Sequence, residues 1–147
     1  GLNAVFNALF YLETSTKDRK LGYATGQSDC TGDTCIEGIE SPIAGGSHVW
    51  VGVNFAAFRT LYMGGEGTGL DDLLVSIGEE SIHTDMIAAL DTADAAAAAV
   101  TVPFDQADPA LVEALYDANK SVTDLLKGDL ATVLALQVPA EAAGDSD

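Results

Sequence analysis

The chain has 147 residues, 48% of them hydrophobic, with six basic against 23 acidic side chains and a formal charge of −17. That length suits one domain with enough apolar material for a core, and the charge excludes nucleic acid as a partner, because no basic patch exists to displace counterions from phosphates. Four prolines and 7% aromatics, beside abundant alanine, favour helices over strands.

Leu2, Val5, Phe6, Leu9 and Phe10 recur at helical spacing, which predicts a helix over 2–13 with one buried face. The chain enters this helix with no lead-in, so it reads as a mature or trimmed product, or as the middle of a longer protein. From Thr14 the apolar period dissolves, and residues 14–46 are expected to form a long ordered loop, of the kind that is functional or stapled. Cys30 and Cys35 lie in this stretch, in "CTGDTC". With no other cysteine and no nearby histidine, a disulfide is favoured over a zinc or redox role, and it implies an oxidising compartment. The same stretch has an imperfect calcium-loop order. Counting from Asp29, oxygen-bearing residues stand at positions 1, 3, 5, 9 and 12 (Asp29, Thr31, Asp33, Glu37, Glu40), but Thr34 replaces the glycine required at position 6. Asp29, Asp33 and Glu40 are the candidate calcium ligands, against the background of chance spacing in an acidic chain.

Residues 47–63, "SHVWVGVNFAAFRTLYM", are apolar nearly all round and predict a central buried helix. Trp50, Val53, Ala57 and Leu61 line one face, and Val51, Phe55, Phe58 and Tyr62 another. Arg59 is its only charge, expected to be buried against a carboxylate, with Glu40, Asp71 or Asp72 as partner. The glycines of 64–69 do not form a phosphate loop: a helix precedes them, no lysine follows, and Asp71 and Asp72 would repel a phosphate. They read instead as a helix end, with Gly64 or Gly65 left-handed, turning into a short helix at Leu70–Ser76. Ile82, Met86, Leu90, Ala93, Ala97 and Val100 stripe a long helix over 79–100. Asp108 and Pro109 then form an N-cap and first turn for the last long helix, striped by Leu111, Leu115, Ala118, Val122 and Leu125. Gly128 ends or interrupts that helix, Leu130–Leu136 adds a turn or two, and residues 138–147 are expected to fray. The expected architecture is one all-α domain: an antiparallel helical bundle of four main helices plus short ones and a long disulfide-closed loop. No apolar stretch is long enough to span a bilayer.

Asn54, Arg59, Tyr62 and Gly64 in one helix, then "GLDDLL" at 69–74, a long Ala-rich helix and "PFDQA" at 103–107, together resemble the C-terminal half of the imelysin-like family over residues 41–137. The resemblance implies a periplasmic or cell-surface protein of a family once described as metallopeptidases and associated with iron uptake. It also implies an all-helical body built from two halves, so that a companion N-terminal half, or self-association through the face it would cover, is expected. The family's metal motif, Gly-x-His-x-x-Glu, is absent from this chain, which argues against peptidase activity. Asn54, Arg59, Tyr62 and Asp71 enter the candidate binding set through these motifs. Glu40 and His48 join them as a Glu40–His48–Arg59 polar cluster, weighed against an ordinary arrangement of caps and ion pairs. His83 reads as solvated. The candidate cofactors are iron, from the resemblance, and calcium, from the loop. The function expected is that of an exported domain taking part in iron acquisition, with a surface interaction domain or a metallopeptidase remnant as alternatives.

Overall fold

Phe6, Leu9 and Phe10 are buried along one side of the first helix, α1 (Leu2–Leu9), as their spacing requires. The helix does not stop near residue 13. In the computed structural model, which describes residues 1–27, 32, 34–40 and 43–143, the chain continues through a π-helical segment, Leu12–Gly22, into α2 (Tyr23–Thr25). The expected loop over 14–46 is therefore helical through Thr25. Its inward side continues the α1 stripe at helical spacing, but with polar groups: Glu13, Thr16, Lys17 and Lys20 are buried beside Leu12 and Leu21. Thr14 Oγ1 donates to the Phe10 carbonyl at 3.2 Å and Thr25 Oγ1 to that of Leu21 at 2.9 Å, competing with amides for the carbonyl one turn back. Gly26, with φ 72°, closes the helix.

A 3-10 turn at Ile36–Gly38 leads to α3 (Ser47–Tyr62). This helix is not central. Val51, Phe55, Phe58 and Tyr62 are buried, whereas Trp50 is 55% exposed, Val53 49% and Leu61 36%. α4 (Leu70–Ser76) and α5 (Glu80–Ala99) form where expected, and α6 (Pro109–Leu125) buries Leu115, Ala118 and Val122 of its expected stripe, but Leu111 is exposed and Val112 and Tyr116 turn inward instead. Asp108 Oδ1 accepts from the Ala110 amide at 3.0 Å, the cap that its place before Pro109 calls for. A second π-helical turn, Leu126–Leu130, contains Gly128 and passes into α7 (Ala131–Val133). Ala140–Ala143 forms a further helical turn, α8, with Ala142 buried, where fraying was expected.

The described residues contain no strand, so the fold is all-α. The long elements touch in a ring: α5 packs on α6, α6 on the first π segment, that segment on α3, and α3 back on α5. α1 lies along α3, and α4 along α5. Cys30, Asp29 and Asp33 lie outside the described residues, so the expected disulfide and the calcium-like ligands at those positions do too.

The glycine turn after α3 is a steric device. Gly64 has φ 73°, and a Cβ there would stand 2.5 Å from the Gly69 nitrogen; a Cβ at Gly69 would stand 2.3 Å from the Met63 carbonyl carbon. The two strands of the turn pass too close for any side chain between them. Gly65 is also left-handed, at φ 61°, but faces open space. Gly64→Ala is therefore expected to cost at least about 2 kcal/mol, from strain and a backbone clash, and Gly65→Ala only about 1 kcal/mol. Urea unfolding midpoints check the order; equal losses would mean that the turn relaxes around a methyl group.

Candidate functional site

The two widened helical segments meet at one buried ion cluster. The first contributes Glu13 and Lys17, both 0% exposed, and the second contributes Lys127. Glu13 Oε1 faces the Lys17 ammonium at 3.3 Å and the Lys127 ammonium at 2.5 Å. Lys17 also reaches Asp18 at 3.4 Å and lies over the Tyr116 ring, 5.9 Å from its centre. Around this cluster, Asn119 Nδ2 donates to the Leu12 carbonyl at 3.1 Å and Asn54 Nδ2 to Thr16 Oγ1 at 2.9 Å. Burial pushes the Glu13 carboxyl up, but hydrogen bonding from Lys127 and the nearby Thr123 hydroxyl, with the charges of Lys17 and Lys127, outweighs it and holds the group below its ordinary value. π-helical turns recur at functional sites, and here they bring the buried Glu13 and Lys17 together with the half-buried Lys127 from the other end of the chain.

Lys20, one turn further along the π segment, is buried and pairs with Glu40 Oε2 at 2.8 Å and with the Tyr11 hydroxyl at 3.1 Å. Burial lowers its pKa, yet the bonds to Glu40 and Tyr11 prevail and raise it.

A second polar group surrounds the glycine turn. Tyr62 is fully buried, stacked between Phe58 and His83, and its hydroxyl meets His83 Nδ1 at 3.3 Å. Burial, and then the charge of Asp71, push the phenol's pKa up. Asp71 Oδ1 is buried without a hydrogen-bond partner. Asp72 turns back to accept from the Gly69 amide at 3.0 Å.

The expected site residues are thus divided among different places. Glu40, His48 and Arg59 do not form a cluster. Glu40 serves Lys20; His48 bonds through Nδ1 to the Gly45 carbonyl at 2.9 Å and lies edge-on to Phe104. Arg59 is 26% exposed at its side chain and pairs with Asp91 and Asp94 of α5, each at 2.8 Å, rather than with Glu40, Asp71 or Asp72. The helix turns its single cation sideways onto a neighbour instead of into the core, so the pair is a partly solvated one, worth about 1 kcal/mol or less. Asn54 belongs with Thr16. Only Tyr62 and Asp71 are brought together, with His83 added.

A family model described as Imelysin matches residues 1–137. The chain belongs to the Imelysin family. The match starts at the first residue rather than near Ser41, so the α1 and π-segment residues that build the ion cluster fall inside it. No curated protein and no solved structure matches the chain. No group of three or more His, Cys, Asp or Glu side chains among the described residues is placed to hold a metal ion.

The residues the sequence did not disclose as a site are Glu13, Lys17, Asn119, Thr123 and Lys127. Their signal was positional: charged and amide side chains at core positions of two helical stripes.

Glu13→Gln keeps the size of the side chain but leaves two ammonium groups without their carboxylate, at a cost of about 3 kcal/mol near neutral pH. Because the folded-state pKa of Glu13 lies below its ordinary 4.5, its contribution is complete above the unfolded value and is lost as pH falls through the folded value. The gap in urea midpoint between wild type and Glu13→Gln should therefore narrow steadily in acid below that range. A gap unchanged by acid would show that the Glu13 charge contributes nothing.

Proposed function

We propose that this chain is the helical body of an exported Imelysin-family protein of metal, chiefly iron, acquisition, and that it acts by binding rather than by cleaving peptides. The family match over residues 1–137 carries the reading. The strongly acidic surface, at −17, favours cations in its surroundings and solubility outside the cell. A Cys30–Cys35 disulfide is part of the same proposal, supported by the absence of a free cysteine among the described residues. Metal-dependent hydrolysis needs an ion-bound water and an adjacent base, and this reading sets it aside because the Gly-x-His-x-x-Glu motif that would supply them is not found in this sequence.

The way such a body contributes is proposed to be a contact through α1 and α3. Trp50, Val53 and Leu61 of α3, with Leu2 of α1 and Tyr11 just after it, are exposed apolar side chains. A groove of about 560 Å³, lined by Leu2, Val5, Leu61, Leu70 and Leu73, runs from there to the glycine turn. Surfaces of this kind mark interaction sites, and a second copy or a companion helical chain is the proposed occupant. No helix among the described residues is long and apolar enough to cross a membrane.

Equilibrium dialysis against ferric and ferrous iron, with calcium as comparison, tests the metal reading on the unreduced protein. Light scattering over a concentration series tests the contact. Saturable iron uptake, or an assembly that appears as concentration rises, is expected. Absence of both, or two reactive thiols in the unfolded chain, would overturn the corresponding part.

A further inference from the structure

The outer side of α3 carries a ridge and a hollow at opposite ends of one helix. Val49, Trp50 and Val53, each about half exposed, form the ridge near its start. The groove of about 560 Å³ lies at its end, between Leu61 of α3, Leu2 and Val5 of α1, and Leu70 and Leu73 of α4. Gly64 and Gly65 line it too, and a Cβ at Gly65 would meet nothing within 4 Å, so no side chain fills the hollow there. Trp50, Ala57, Leu61 and Gly64 follow one another at helical spacing and share one face. Between ridge and groove that face carries only the small exposed side chains of Ala56 and Ala57. A second hollow of about 280 Å³, lined by Ala8, Ala57 and Leu61 among others, extends the groove to this midpoint.

We propose that this face is the contact between two copies of the chain, in which α3 crosses its counterpart at Ala57 and the Trp50 side chain of each copy enters the groove of the other. Trp50 and Gly64 stand equally far from Ala57, about 10 Å along the helix in either direction. An antiparallel pair with its two-fold axis at Ala57 therefore sets each ridge over a groove. One self-complementary patch serves both copies, as two-fold contacts require, and small side chains at the crossing let the helices approach closely. Charge favours the same partner. α1 and α3 contain no carboxylate, and Arg59, their one permanent charge, is turned onto α5. Two copies at −17 each repel least through these helices, whereas a basic companion would find no acid on them to attract it. The area suffices. Leu2, Tyr11, Val49, Trp50, Val53 and Leu61 present roughly 500 Å² per copy, which doubles to the level of about 1,000 Å² that a specific interface needs. The occupant named here rests on the α1 and α3 contact proposed above, and not on the metal part of that reading.

Sedimentation of the full chain over a concentration series should show a monomer–dimer equilibrium that tightens as salt screens the acidic repulsion. Trp50→Glu, a change at an exposed position, should weaken the dimer about thirtyfold or more and leave the urea midpoint of the monomer where it was. Disulfide trapping reads the geometry. Under mild oxidation Ala57→Cys should join its own copy, because residue 57 faces itself across the axis. Trp50→Cys, whose two copies lie on opposite sides of the crossing, should give no covalent dimer; with the wild type it controls for Cys30 and Cys35. A chain that stays monomeric at every concentration and salt would overturn the self-contact, while leaving the face to another partner and the metal reading untouched. A dimer indifferent to Trp50→Glu would overturn it too, as would one that is linked by Trp50→Cys and not by Ala57→Cys.

Discussion

One carboxylate oxygen, Oε1 of Glu13, holds two ammonium groups that reach it from opposite ends of the sequence. The bond to Lys127 closes the contact between the first helix and the end of α6, and that contact is one side of the helical ring. Apolar stripes alone would let these elements slide past one another with small changes in buried area. A carboxylate away from water has no such latitude, because each ångström of separation leaves a charge uncompensated. Register here is set by ions. The widened turns belong to the same arrangement: both partners of the Glu13–Lys127 bond emerge from, or beside, π-helical winding.

The family motifs around "GLDDLL" owe their placement to a different constraint, the near contact of backbones at Gly64 and Gly69. That closeness ends α3 abruptly and starts α4 beside it, so the Asp71 carboxylate comes to act on the buried Tyr62 hydroxyl. His83, from the start of α5, stacks on the same ring. Three elements thus converge on one phenol, which links the motif glycines to the core instead of to a bound phosphate.

Sequence periodicity located α3 to α6 well because their buried stripes are mostly apolar. It failed over 14–25 for an equally physical reason. The stripe of Phe6, Leu9 and Phe10 continues as Glu13, Thr16, Lys17 and Lys20, and a pattern sought in hydrophobic residues goes silent where the core turns polar. The same blindness concealed Asn119 and Thr123 on α6, whose neighbours Leu115 and Val122 were legible. Arg59 was recognised as needing carboxylates, yet its partners Asp91 and Asp94 lie a helix away in sequence, and only packing of α3 on α5 brings them near. For α3, an all-round apolar composition gave two candidate faces and no means of choosing; the face of Phe55 and Tyr62 went inward and that of Trp50 stayed outside.

That outcome has an optical consequence. The chain's single tryptophan stands on the outer face of α3, more than half exposed. Indole emission moves to shorter wavelength when water leaves the ring, so the protein carries its own indicator for the occupancy of this surface. The core, filled with phenylalanine and tyrosine, contributes little at those wavelengths. A blue shift on mixing or concentrating the folded protein would therefore report the covering of α3 directly, with no label attached.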